Sequence, residues 1–294
     1  MEENFCLSTD TCCDELKSTL KKNKINFIKM CYISDGEIYE DNFDAIEEYK
    51  YFYDEMKKGK MFSTTGLNPY QVKEYFLDIL EKNKKDIIHI SLSSGLSGTC
   101  GITKDVADEI NQKSKYKIYV LDSLCATQAQ NAILCYATLL RNQGKTADEA
   151  MKVLEEATKK LIVEFFLSDL ETLKRGGRIS GAQAAMAKVM QLRPILHFDP
   201  EGKLQVIGKV MGSKKAIKCL FDNFLKCYDP NSPIPIFIPY SGDFSIAVEI
   251  KKMIEEKLGI TNVIIGPVGP VVGSHTGPSL CGLIYLSKTN RTQF

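Results

Sequence analysis

Apolar and polar residues along this chain fall into short β-branched runs that alternate with longer amphipathic stretches. The run over residues 86–92 is the clearest, since Ile87, Ile88, Ile90 and Leu92 predict a strand buried on both faces. It stops abruptly. Ser91, Ser93, Ser94, Ser97 and Thr99 then interleave with Gly95 and Gly98, and a helical pattern follows over residues 99–111. The motif recurs in the first half of the chain. A strand over 4–7 leads into Ser8-Thr9-Asp10-Thr11 and a helix from near Asp14, and a strand over 115–121 ends at Asp122-Ser123 ahead of a helix over 126–141. Between them, strand-like patterning over 25–33 and a helical pattern over 44–58 precede another hydroxyl cluster, Ser63-Thr64-Thr65. There Asn68 and Pro69 fit the N-cap and first position of the next helix.

A helix over 147–160 closes this half, and the domain boundary is placed at its end, giving one α/β domain over 1–160 and a second over 161–294. Beyond the boundary the pattern predicts strands over 161–167, 194–198, 203–210, 234–240 and 262–265, with helices over 182–190, 213–228 and 244–258. A Gly/Pro-rich turn around His275 then returns to a final apolar strand. This alternation argues for an α/β protein, a three-layer α/β/α domain on a parallel sheet followed by an α/β domain with a mixed sheet. In such sheets ligands bind outside the carboxyl ends of the strands, so the four hydroxyl-rich segments are expected to converge on one edge.

Composition narrows the function. At 294 residues, 44% hydrophobic and 26% charged, the chain holds enough apolar material for two cores. The formal net charge is +1 and the basic residues are dispersed among acidic ones, which excludes a nucleic-acid footprint. No apolar run approaches the roughly 18 residues of a membrane span, which leaves at most a peripheral membrane contact. The opening MEENFCLSTD has no apolar signal-like core, and a cytoplasmic location is expected. Ten cysteines, none at C-x-x-C spacing, read as reduced core residues rather than disulfides or zinc ligands. No metal and no cofactor is expected.

Free N–H groups and hydroxyls at helix starts favour an anion. Neither G-x-x-x-x-G-K-[ST] nor a strand-following G-x-G-x-x-G is present, so a small carboxylate or phosphate head group is expected rather than a nucleotide. His275, flanked by Gly273, Ser274, Thr276 and Gly277, reads either as a ligand-binding imidazole or as a turn histidine satisfied by backbone. His89, within a strand, reads as a core residue and His197, beside Asp199-Pro200, as a surface one. Arg175 and Arg178 bracket Gly176 and Gly177, either as a basic loop capping a helix or as guanidinium forks on a hinge. Serine-rich loops with His275 also allow a Ser/His-dependent lipid hydrolase or acyltransferase. Against that stand the lack of a G-x-S-x-G elbow and of a carboxylate placed to orient His275.

Eight stretches occur in one register: TDTCCDEL (9–16), STT (63–65), SSGLSGT (93–99), LDS (121–123), LKRGGRIS (173–180), RPIL (193–196), KKAI (214–217) and GSHTGP (273–278). On these the chain resembles, over nearly its whole length, the DegV family, bacterial fatty-acid-binding proteins that include the binding subunits of fatty acid kinase. The resemblance implies a two-domain DegV-like fold with a long-chain fatty acid in a tunnel between the domains. Its carboxylate would be held by Thr64 or Thr65, by Ser93 or Ser94, and by His275. The resemblance further implies a carrier without catalytic residues of its own, which presents the acid to a fatty acid kinase subunit for acyl-phosphate formation. Arg175 and Arg178 would then serve the partner and the transfer. Departures are Gly66-Leu67 in place of Gln-Pro, which leaves Ser63, Thr64 and Thr65 open as the contact, and Met211 in place of an Arg, which would alter the kinase contact. Ala129 and Asn131 replace helix-opening glycines, and Ser279 a frequent Gly.

Overall fold

The computed structural model describes residues 3–181 and 191–291; the helix expected over 182–190 lies outside the described residues. Three sheets organise the chain. β1 (Phe5–Asp10), β2 (Ile25–Ile28), β6 (Asp86–Ser91) and β7 (Ile118–Asp122) form a parallel sheet in the order β2-β1-β6-β7. β1 is buried at every position, as a central parallel strand must be when helices cover both faces. Helices Pro69–Asn83 and Thr99–Asn111 pack together, as do Gln128–Asn142 and Ala147–Lys160, and these pairs cover the sheet.

The second half builds a mixed sheet from β8 (Leu161–Phe166), β9 (Leu192–Phe198), β10 (Leu204–Met211), β11 (Ile236–Tyr240), β12 (Val263–Pro267) and β13 (Cys281–Leu286). Its order is β10-β9-β8-β13-β11-β12. Alternation along its strands serves two cores. Ile162 and Phe166 of β8, with Leu283 and Tyr285 of β13, face helices Ser213–Cys227 and Phe244–Leu258. Val163, Phe165, Ile284 and Leu286 point the other way, into a core shared with the first half. The α/β architecture read from the strand–helix alternation is therefore the one observed.

Two details differ from the pattern. The stretch over 25–33 is not one strand, because at Met30 the chain leaves the parallel sheet. There its N–H donates to Thr11 Oγ1 at 3.0 Å and its carbonyl accepts from the Asp41 N–H at 2.8 Å. It continues as β3 (Cys31–Ser34), turns through Asp35 and Gly36, both at positive φ (53° and 84°), and returns as the exposed β4 (Glu37–Glu40). The hydroxyl cluster at residues 63–65 is correspondingly not a loop but part of β5 (Phe62–Thr65), which pairs antiparallel with β3 to complete a third sheet, β4-β3-β5. Three of the four hydroxyl segments thus follow parallel strands and the fourth reaches the same region from a separate sheet.

Burial of charge ties these pieces together. The Asp10 carboxylate at the end of β1 accepts the N–H groups of Cys12 (3.0 Å) and Leu92 (2.8 Å) and the Gln130 side-chain amide (3.1 Å). It so locks the loops after β1 and β6 to the helix Gln128–Asn142. Asp41 takes a buried 2.8 Å ion pair from Lys17. In the second half Glu164 is 2% exposed in β8 and accepts two hydrogen bonds from Asn223 Nδ2, at 3.0 and 3.1 Å.

Burial pushes the Glu164 carboxyl up to about 7. A carboxyl whose folded pKa stands above its unfolded value holds its proton more tightly in the native state. Its contribution is full below about pH 4.5 and is lost as pH rises through about 7. Glu164→Gln should therefore melt closer to wild type at about pH 5 and above it at about pH 8. Thermal melts at both pH values check this, and an equal shift at the two would show that titration of Glu164 is not the cause.

Candidate functional site

Between the two halves lies a cavity of about 260 Å³. β5 contributes Thr64 and Thr65, the segment after β6 contributes Leu92, Leu96, Ser97 and Gly98, and the turn after β7 contributes Ala126 and Thr127. From the second half come Val163, Phe165 and Phe198, Leu173 and Arg178, and Val271 and His275. The wall is mostly apolar, with hydroxyls, one imidazole and one guanidinium; among the described residues Arg178 is its only charged side chain.

His275 does not sit in a turn but on the short helix Pro270–Thr276, which Pro270 opens at its first position. Its Nε2 lies 2.8 Å from Thr64 Oγ1, while Nδ1 is buried without a partner among the described residues. That nitrogen is pressed against the backbone of Gly176, where a Cβ would stand 2.2 Å from it. Only glycine lets the chain pass there. Burial, then the positive charges of Arg178 and Arg175, depress the imidazole to about 4, so it is neutral at pH 7. Arg178 Nε donates to the carbonyl of Leu96 at 3.2 Å and Nη1 to that of Gly176. Thr64, His275 and Arg178 thus form one polar group in the cavity wall.

The serine-rich loop enters differently. Ser93 is fully buried, and its Oγ accepts the Gly95 N–H at 3.1 Å and donates to the carbonyl of Gly202 at 2.8 Å, in the turn between β9 and β10. It holds the two halves together and does not line the cavity. Ser94 is exposed, with its N–H on Asp122 Oδ1 at 3.2 Å. The loop reaches the cavity through Leu96, Ser97 and Gly98 instead. Of the two arginines, Arg178 lines the cavity and Arg175 is exposed. His89 is buried with Nδ1 2.8 Å from Ser8 Oγ, and His197 is half-buried.

Sequence reasoning did not single out Ser97 or Thr127. The second carries a signal visible only in the backbone: a β-branched residue at φ 58°, ψ −141°, with its N–H on the Cys12 carbonyl at 2.8 Å. Such strain persists only where surroundings over-determine it. Cys12 also lines the cavity, but burial raises its thiol well above the usual range, so it stays protonated. No group of His, Cys, Asp or Glu among the described residues could hold a metal ion, and no helix of theirs is long and apolar enough to cross a membrane.

A two-domain α/β protein with a mostly apolar cavity between its halves and a small polar group in the wall is what the fold and site define. The chain belongs to the DegV family: the family model described as "Uncharacterised protein, DegV family" matches residues 5–288. A DegV domain-containing protein of Clostridium perfringens is 32% identical over 289 residues, covering 98% of this chain and 99% of that one. Among solved structures, a DegV family protein from Thermus thermophilus, described by its fatty acid binding, superposes with a TM-score of 0.85 at 24% identity, over 97% of this chain and 99% of that one. DegV from Bacillus subtilis, described as a fatty acid binding protein, superposes with a TM-score of 0.81 at 25% identity, over 98% of this chain and all (100%) of that one.

Two outcomes follow from this geometry. In Gly202→Ala the new Cβ would stand 2.1 Å from Ser93 Oγ at a residue with φ +72°, whereas Gly144→Ala meets a similar φ of +76° with nothing within 4 Å. Urea midpoints should show Gly202→Ala losing more than Gly144→Ala by about 1–3 kcal/mol; an equal loss would mean that the junction tolerates the methyl. The His275 ring, followed by NMR, should stay neutral from pH 8 down to near its pKa of about 4. A midpoint near the ordinary 6.5 would mean that solvent reaches the imidazole.

Proposed function

We propose that the cavity takes a long-chain fatty acid, its carboxylate against Arg178, Thr64 and His275 with Thr65 and Ser97 alongside, and its chain along the apolar wall. The observation that carries the reading is Arg178. Among the described residues its guanidinium bonds two carbonyls and no carboxylate, although it lines a largely apolar cavity. Arg178 is half-buried, its charge still lacks a carboxylate partner among those residues at the cavity wall, and a ligand carboxylate supplies one in the geometry that a guanidinium fork prefers. The neutral imidazole and the hydroxyls add hydrogen bonds without competing charge. Each methylene buried adds about 0.8 kcal/mol, so the chain provides most of the affinity and the polar group fixes the orientation. That solved relatives are described as fatty acid binding proteins supports the same ligand.

In this reading the halves divide at Lys160–Leu161, where the helix Ala147–Lys160 passes directly into β8, and the ligand lies between them. Ser93 serves by holding the loop, and the protein works in the cytoplasm as a carrier that presents the acid to a fatty acid kinase subunit. Exposed Arg175, next to the head group through Gly176, suits the partner's side of that transfer. A hydrolase would need Thr64 as the nucleophile beside His275. With Nδ1 unpartnered and a pKa near 4, that imidazole is a poorly oriented and weak base.

Mass spectrometry of lipid extracted from the purified protein should find a fatty acid. Thr64→Ala, His275→Ala and Arg178→Ala should each weaken its binding by roughly tenfold or more, about 1–3 kcal/mol per lost donor. Arg175→Ala should keep the lipid while lowering acyl-phosphate formation with the kinase subunit by about tenfold. A lipid-free extract together with wild-type affinity in all three cavity variants would overturn the reading.

A further inference from the structure

We propose that the groove between the β3–β4 hairpin and the helix Ile46–Lys57 docks a basic segment of a partner protein, with an arginine side chain laid among its aromatic rings. The groove encloses about 500 Å³ and is open to solvent. Its floor is an aromatic network centred on Tyr32, whose ring stacks on Tyr39 (centroids 5.5 Å apart, planes at 20°) and meets Phe43 and Phe52 edge-on at 6.0 and 5.7 Å. Rings do not need exposure for this packing. Yet Tyr39 is 46% and Tyr51 68% exposed, and Ile38 on the adjoining edge strand is 65% exposed. So large an apolar surface beside a ready groove marks an interaction site.

Charge decides the kind of partner. Three carboxylates, Glu47, Glu48 and Glu55, line the groove against one ammonium, Lys60. Glu48 is engaged by the backbone N–H groups of Asp44 and Ala45 (2.7 and 2.9 Å) and Glu55 by Lys58 (2.8 Å), while Glu47 has no partner among the described residues. Lys60 shows what the groove accepts. Its ammonium lies 5.8 Å above the Phe62 ring while pairing with Asp35 at 2.9 Å, the combination of ring face and carboxylate that an incoming cation would meet. A guanidinium suits the remainder better than an ammonium, because it stacks flat on an aromatic face while its N–H fork reaches a carboxylate.

A protein segment is favoured over a small cation by the setting. β4 is an edge strand of four exposed residues beside the groove, available for backbone pairing with an incoming chain. The groove also shares a sheet face with the cavity, since Tyr32 on β3 stands directly opposite Thr64 on β5. A partner seated on Tyr32 would therefore be held one strand away from the Thr64–His275 pair. The inference does not depend on which ligand fills the cavity.

The test is an NMR titration of protein carrying 13C-labelled tyrosine and phenylalanine rings, with the blocked peptide Ac-Gly-Arg-Gly-Arg-Gly-NH2, its glutamate counterpart and tetramethylammonium chloride. The arginine peptide should shift the rings of Tyr32, Tyr39 and Tyr51 saturably and the glutamate peptide should not. Tyr51→Ala and Glu47→Gln, both at exposed positions, should weaken that binding by about fivefold each without lowering the melting temperature. No saturable shift, shifts unaffected by either variant, or equal affinity for tetramethylammonium, which would make the groove a small-cation site, would each overturn the proposal.

Discussion

A 2.8 Å hydrogen bond between Thr64 and His275 joins the small antiparallel sheet of the first half to the short helix of the second, and the polar part of the cavity exists because of it. Thr64 stands on β5, directly opposite Tyr32 of β3. His275 stands on a helix held against Gly176, and Arg178 follows two residues later with its guanidinium folded back on the Gly176 carbonyl. Each of these backbone placements presupposes the others. A ring kept neutral by burial is what makes the arrangement tolerable, because an imidazolium beside Arg178 would place two like charges in an apolar wall.

Close backbone approach does the rest of the joining. Gly95 and Gly202 face one another so tightly that a Cβ on the first would stand 2.5 Å from the carbonyl of the second, and Ser93 bonds across the same gap. The serine-rich loop is therefore as much a mechanical part as a chemical one. It holds the β9–β10 turn of one half against the strand ends of the other, and the cavity lies behind that contact.

The alternation of strand and helix was legible because buried parallel strands require continuous apolar runs, as at Ile87 to Leu92. The third sheet was not, since β4 reads Glu-Ile-Tyr-Glu and lies fully exposed, with no burial to impose a pattern. The cavity lining was legible by segment more than by atom. Thr64, Thr65, His275 and Arg178 stand at the cavity, yet the SSGLSGT run presents Ser97 and Gly98 there rather than Ser93 and Ser94. Composition announces that hydroxyls gather in a loop. Which of them faces the cavity depends on a turn whose partner, Gly202, is 109 residues away in sequence.

The mixed sheet has one face covered by its own helices and the other by the first half of the chain. During synthesis the first half emerges ahead of the second, and the surface that will receive Val163 and Phe165 stays open until those residues follow it out. The second half can never be a free-standing fold on the same terms, for without its elder neighbour the face carrying Phe165, Phe198 and Ile284 would meet water. The two halves are separate in topology and a single unit in solubility, so gene fragments cut at the boundary would part what the topology alone suggests is divisible.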